Sequence, residues 1–122
     1  MPIVDVQVVY EKNSPLEPSC AQALADSLGR VFGSKPGQNW VRLHPIEVSC
    51  YAENDTRLAT RELPVFVALL LANPLHGAEL LTQAAAVAKA VAACLVRPVE
   101  RVHVEYAPSG TGRIALGGTL AE

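Results

Sequence analysis

The sequence predicts an α/β (α+β) fold: two tandem β-α-β units giving a four-stranded mixed sheet with two helices on one face, plus short hairpin strands near the C-terminus. Three observations predict it. Two apolar, strand-like runs, Ile3–Val9 and Leu63–Leu71, each have a proline at their start, Pro2 just before the first and Pro64 as the second residue of the other. Each is followed by a helical pattern and then by a second strand-like run. The spacing repeats as well, since Pro2 precedes Arg42 by 40 residues and Pro64 precedes His103 by 39.

The elements follow in order. Ile3–Val9 is β-branched, with Asp5 and Gln7 at alternate positions, so one of its faces is more polar. Ser14-Pro15-Leu16-Glu17 reads as a capping box with proline at the first helical position. The stripe Leu16, Cys20, Ala23, Leu24, Ser27, Leu28 and Val31 continues that helix, and Gly33 suits its C-terminal end. Trp40–His44 is a strand that Pro45 interrupts or borders. Residues 1–51 form the first unit, 52–62 a polar linker, and 63–122 the second unit with the hairpin, all within a single domain 1–122.

In the second unit Asn73-Pro74 repeats the cap-then-proline start. Residues 75–95 read as a long helix with Leu80, Leu81, Ala84, Val87, Ala88, Val91 and Leu95 inward. Val99–Tyr106 is a strand, and the tail Ser109–Gly118 a turn, a short strand and a glycine-rich end. A helix joining parallel strands implies a right-handed crossover. Both helices then share one sheet face, and the other face is left bare and apolar, which calls for an oligomer.

Composition excludes several function classes. The chain has 122 residues, 50% of them hydrophobic, with a formal net charge of −2 and scattered Lys and Arg. That pattern offers no basic stripe for nucleic acid and no patch for an anionic membrane. Leu80–Val96 is apolar, but Gln83 and Lys89 interrupt it, which favours a buried helix over a membrane helix. Cys20, Cys50 and Cys94 form no metal spacing, and an odd count without a secretory signal indicates reduced thiols in the cytoplasm. No metal set and no cofactor motif is present, since Gly117-Gly118 lacks the strand-to-helix context of a phosphate loop.

The chemistry-bearing residue is Pro2. If Met1 is removed, Pro2 carries a free secondary amine, and α-amino groups titrate near pKa ~7.7–8.0. Burial or a nearby cation lowers that value, which makes the amine a base at neutral pH without help from a metal. Pro64 occupies the repeated position, but its nitrogen is a tertiary amide. Only the first unit can therefore do amine chemistry.

The proline after Met, the repeated β-α-β unit and the glycine-rich end together resemble the tautomerase superfamily over nearly the whole chain. Val102-His103-Val104 followed by Gly112-Arg113-Ile114-Ala115-Leu116-Gly117-Gly118 looks like the end of 4-oxalocrotonate tautomerase. The length, Lys35-Pro36, Pro45 and Val102–Tyr106 look like the macrophage migration inhibitory factor branch. The resemblance implies a homotrimer with sites at subunit interfaces, and Pro2 as catalytic base. The substrate would be a small-molecule carboxylate, a 2-oxo acid or an unsaturated dicarboxylate.

The same resemblance supplies substrate-binding residues. Lys12 stands where 4-oxalocrotonate tautomerase has an arginine, and a lysine gives a point charge instead of a bidentate fork. Arg42 stands at that enzyme's second arginine, Lys35 at the inhibitory-factor lysine, His103 at its tyrosine, and Ile114 at an aromatic wall of the short enzymes. The paired arginines of the haloacrylate dehalogenase and malonate-semialdehyde decarboxylase branches are replaced by Ala72-Asn73-Pro74-Leu75, which argues against those activities. The expectation is a cofactor-independent keto-enol tautomerase. A non-catalytic trimeric scaffold, or a hydratase or decarboxylase using protonated Pro2, are the alternatives.

Overall fold

A computed structural model describes residues 2–59 and 62–122. Met1, on whose removal the amine chemistry depends, and Thr60–Arg61 of the expected linker lie outside the described residues. The first unit contains β1 (Ile3–Tyr10), α1 (Cys20–Phe32) and β2 (Trp40–Glu47). The second contains β3 (Val65–Leu70), α2 (Gly77–Leu95) and β4 (Val102–Tyr106), and the tail adds β5 (Ala115–Leu116) and β6 (Thr119–Leu120). The sheet order is β2-β1-β3-β4. Within each unit the strands are parallel, with Ile3 opposite Trp40 and Val65 opposite Val102. The units join antiparallel through β1 and β3, with Val6 opposite Val67. This mixed sheet is the expected one, and its pseudo-twofold arrangement places Pro2 and Pro64 at opposite ends.

Strand alternation builds the core. Val4, Val6 and Val8 of β1 and Val65, Val67 and Leu69 of β3 point to one face and are fully buried. Leu24 and Leu28, one turn apart on α1, and Val87 and Val91 on α2 close over them, so both helices share that face. Fully burying each such side chain stabilises the fold by about 1.5–3 kcal/mol.

Several boundaries differ from the sequence reading, each for a local reason. α1 starts at Cys20, with Ser19 at the N-cap and no capping side-chain bond. Ser14 instead donates its backbone N–H to Glu11 O at 2.9 Å, closing a turn at the end of β1. Pro18 then disfavours helical geometry at Glu17, so a helix cannot run on from Pro15. α2 likewise begins at Gly77, two residues after Leu75. Val99–Arg101 is a single 3-10 turn that delays β4 to Val102. Pro45 lies within β2 without ending it, because β2 is an edge strand with one neighbour only.

Helix α2 is a surface helix and not a buried one. It is long and apolar enough to cross a membrane by length and composition. Here Val87, Val91 and Ala92 pack it on the sheet while Leu81, expected inward, is 74% exposed. Its end is unusual: Val96, a β-branched residue, holds the left-handed conformation at φ 54° where glycine is normally found. α1 ends conventionally on Gly33 at φ 63°.

The uncovered sheet face is not the apolar surface expected. Phe66, Ala68 and Leu70 form an apolar stripe along β3, but Asp5, Gln7, Arg42, His44, His103 and Glu105 flank it. Part of this face is covered by the segment after β2. Tyr51 packs against Phe66 at 5.9 Å between ring centroids, and Glu53 accepts hydrogen bonds from Tyr51 and Arg101. The expected linker is thus tied to the second unit at Glu53. In the tail, Gly117 and Gly118, at φ 58° and 85°, make the tight turn between β5 and β6.

Candidate active site

Pro2 is buried where β1 begins, and its carbonyl accepts the Trp40 N–H at 3.1 Å. This bond ties the start of β1 to the start of β2. Because Ile3 pairs with Leu70, the end of β3 lies beside Pro2 as well. The end of α1 and the turn that follows it close the third side. The result is a cavity of about 580 Å³ whose walls include Pro2, Phe32, Ser34, Lys35, Gln38, Leu71, Asn73 and Gln83.

Lys35 is exposed at the rim and makes no ion pair among the described residues. A larger, open depression of about 830 Å³ on the outer side of α1 also borders Lys35, but Pro2 is not part of it. Pro2 and Lys35 are the two sequence-expected residues that one chain brings into one cavity.

The remaining expected residues stand elsewhere. Lys12 follows β1 at the end opposite Pro2, and eight strand residues at ~3.3 Å per residue separate the two ends by roughly 26 Å. Arg42 lies on the uncovered sheet face and grips Asp5 with both arms: Nε donates to Oδ1 at 2.7 Å and Nη2 to Oδ2 at 2.9 Å. His44 Nε2 approaches the same Asp5 oxygen at 3.0 Å. The Arg42 hydrogen bonds hold the Asp5 carboxyl below its ordinary pKa against an opposing desolvation effect, with His44 adding to the shift. His103, on the same face, stacks on Phe66 at 5.3 Å between ring centroids.

Ile114 is 9% exposed at the root of the β5–β6 hairpin. It packs against Gly110, whose N–H is donated to Leu71 O at 2.8 Å. Ser109 Oγ and Thr111 Oγ1 both donate to Ala72 O, at 2.7 and 2.6 Å. The hairpin root is therefore fastened to Leu71–Ala72, which wall the Pro2 cavity, and Ile114 backs that wall.

The repeat builds a counterpart cavity of about 400 Å³ at the Pro64 end, walled by Leu63, Cys20, Cys94 and Arg97. There the cation is engaged, since Arg97 Nη1 donates to Leu63 O at 2.7 Å. Burial lowers the Arg97 pKa and raises that of Cys20. Only the Pro2 end combines a candidate amine with an unpaired cation among the described residues.

Gln83 and Tyr106 were not singled out as site residues from sequence. Tyr106 donates its hydroxyl to Gln83 Oε1 at 3.0 Å, at the cavity wall. Burial raises the Tyr106 pKa, which keeps the hydroxyl a donor. The available signal was Gln83 itself, a polar interruption in the apolar run of α2.

No protein-family profile and no curated protein matches the sequence. Solved structures do match. A macrophage migration inhibitory factor from Oncomelania hupensis superposes with a TM-score of 0.75 at 16% identity, over 100% of this chain and 83% of that one. The chain has a tautomerase-like fold. Pt0534 inactivated by 2-oxo-3-pentynoate gives 0.74 at 13% identity, over 98% and 94% of the two chains. A fused 4-OT that forms an asymmetric trimer gives 0.73 at 18% identity, over 96% and 95%. The tautomerase-like fold thus extends over the whole of both β-α-β units.

Proposed function

We propose that this tautomerase-like protein is a cofactor-independent keto-enol tautomerase of a small 2-oxo acid, with Pro2 as the general base. The observation that carries the reading is the burial of Pro2 in a cavity with Lys35 at its rim. Once Met1 is removed, both desolvation and the lysine charge favour the neutral amine. That amine takes a proton from C3 of the keto acid. The negative charge developing on the oxo oxygen faces Lys35, and the proline ammonium returns the proton to that oxygen as the enol forms. The three free cysteines fit a reducing, cytoplasmic setting.

Lys12 lies too far from Pro2 to act within one chain, so its proposed role, like that of Arg42 and His103, is at a site shared between copies. The uncovered sheet face and the trimeric fused 4-OT support a homotrimer as the assembly that would bring them there. Arg42 would first have to exchange Asp5 for substrate, and this favours Lys35 as the principal carboxylate partner.

The test is ketonisation of phenylenolpyruvate by protein whose N-terminus mass spectrometry shows to be Pro2. Pro2→Ala is expected to lower kcat by about 10²-fold or more, and Lys35→Ala both to raise KM and to lower kcat. Full activity in Pro2→Ala overturns the mechanism. The scaffold reading is favoured by the neutralised Arg42, and retention of Met1 in cells would support it.

A further inference from the structure

Helices α1 and α2 hold the same place in the two halves of the repeat, yet their outward faces differ. α1 turns Gln22, Asp26 and Arg30 to solvent, and Gln22 Nε2 donates to Asp26 Oδ1 at 2.9 Å. On α2 the exposed positions spaced three or four apart run Ala78, Leu81, Ala85, Lys89 and Ala93, and Val96 continues them past its end. α2 is apolar enough along its length to cross a membrane, but 17% of that stretch is buried in the chain. A surface helix normally carries polar residues on its outer side. An exposed apolar face that runs the length of a helix marks an interaction surface.

The charges of α2 say what covers this face. The helix carries two, Glu79 and Lys89, both exposed, ten residues apart and so about 15 Å along the axis. Neither belongs to an ion pair among the described residues. A second copy of α2, laid antiparallel about a twofold axis at the level of Ala84, sets each Lys89 against the other copy's Glu79. The pairing then forms twice, and the exposed Ala85 lies beside the axis. A parallel copy would set lysine against lysine and glutamate against glutamate. A membrane surface fits less well, because Lys89 is the single cation of the helix and Glu79 and Glu100 flank its two ends.

We propose that the outer face of α2 docks the α2 of a second copy of this chain, antiparallel, with Lys89 of each copy paired to Glu79 of the other. Such a contact is isologous and closes on itself. It lies on the side of the helices away from the sheet, whereas the proposed homotrimer uses the uncovered sheet face. The α2 contact therefore links chains that the sheet face does not, and it stands apart from the chemistry at Pro2.

The experiment is sedimentation equilibrium of the full chain over a range of protein concentrations. Ala85→Glu places like charges beside the twofold axis, and its particles should hold at most half as many chains as those of wild type. Lys89→Glu and Glu79→Lys each turn both attractive pairs into repulsive ones, and each should weaken the contact about tenfold. Combined in one chain they reverse every pair and should restore it. All three positions are exposed, and circular dichroism checks that each variant keeps the fold.

Equal particle size in wild type and Ala85→Glu overturns the docking surface. Loss of the contact in both single charge variants without recovery in the double variant overturns the antiparallel pairing. Equal particle size together with retention of wild type on phosphatidylcholine vesicles gives the face to a membrane and overturns the second copy. Particle size is read without turnover, so none of these outcomes depends on ketonisation activity.

Discussion

Gly110→Ala should loosen the wall behind Pro2, and the structure gives the size of the effect. A Cβ at Gly110 would fall 2.2 Å from Ile114 Cδ1, 2.8 Å from Cγ1 and 3.3 Å from Leu71 O. Gly110 has no positive φ, so alanine suits the backbone and the penalty is steric. Rotation about χ2 would carry Cδ1 away, but Cγ1 moves only with χ1, which is restricted in a β-branched residue. The Leu71 carbonyl is fixed by the Gly110 N–H and walls the cavity. Overpacking of this kind costs about 1–3 kcal/mol, which in a chain of this length lowers the melting temperature by roughly 5–15 °C.

Ile114→Ala alone should cost about 2–5 kcal/mol. In the double variant the new methyl group occupies space that the isoleucine has vacated. The two losses should then fall short of their sum by about 1–2 kcal/mol. Urea unfolding of the four proteins, followed by circular dichroism, measures the cycle. Losses that add within about 0.5 kcal/mol would refute the contact between Gly110 and Ile114 as the source of the effect.

Other expected outcomes test the remaining supports of the fold. Val96→Gly relieves a left-handed β-branched residue that is 88% exposed, and should raise stability by about 1 kcal/mol in the same unfolding assay. Leu24→Ala, at a fully buried core position, should cost about 2–5 kcal/mol. Asp5 has a folded pKa below its ordinary value of 3.8, so its stabilising effect is present above that value and is lost as pH falls through the folded pKa. The stability difference between wild type and Asp5→Asn should accordingly shrink as unfolding is measured at successively lower pH below about 4.

The topology was legible in the sequence because the repeat and the alternation of Val4, Val6 and Val8 are properties of a single chain. Ser14-Pro15 satisfies a capping pattern and so points to a helix start at Pro15, whereas α1 starts at Cys20 because Pro18 constrains Glu17. Leu81 was placed inward because helical periodicity marks a stripe without showing how far along it the sheet extends. The count of aliphatic residues points to an apolar uncovered face, whereas strand alternation turns Asp5, Arg42 and Glu105 onto it. Of the candidate residues, order along the chain points to Pro2 and Lys35, which line one cavity. It does not point to Gln83, whose significance arises only when β4 brings Tyr106 against α2. The capture of Arg42 by Asp5 is likewise a cross-strand pairing, set by register between β1 and β2.

The bond from the Trp40 N–H to the Pro2 carbonyl also bears on how the protein should be handled. It pins Pro2 to the sheet at the cavity wall. An amino-terminal affinity tag would keep the Pro2 nitrogen an amide, so the proposed amine chemistry is tested only on protein that begins at Pro2. At the other terminus Ala121 is bonded to Gly112 and Ile114, and Glu122 is exposed. A purification handle placed after Glu122 leaves the Pro2 nitrogen untouched, and assays of the proposed chemistry should be made on that form.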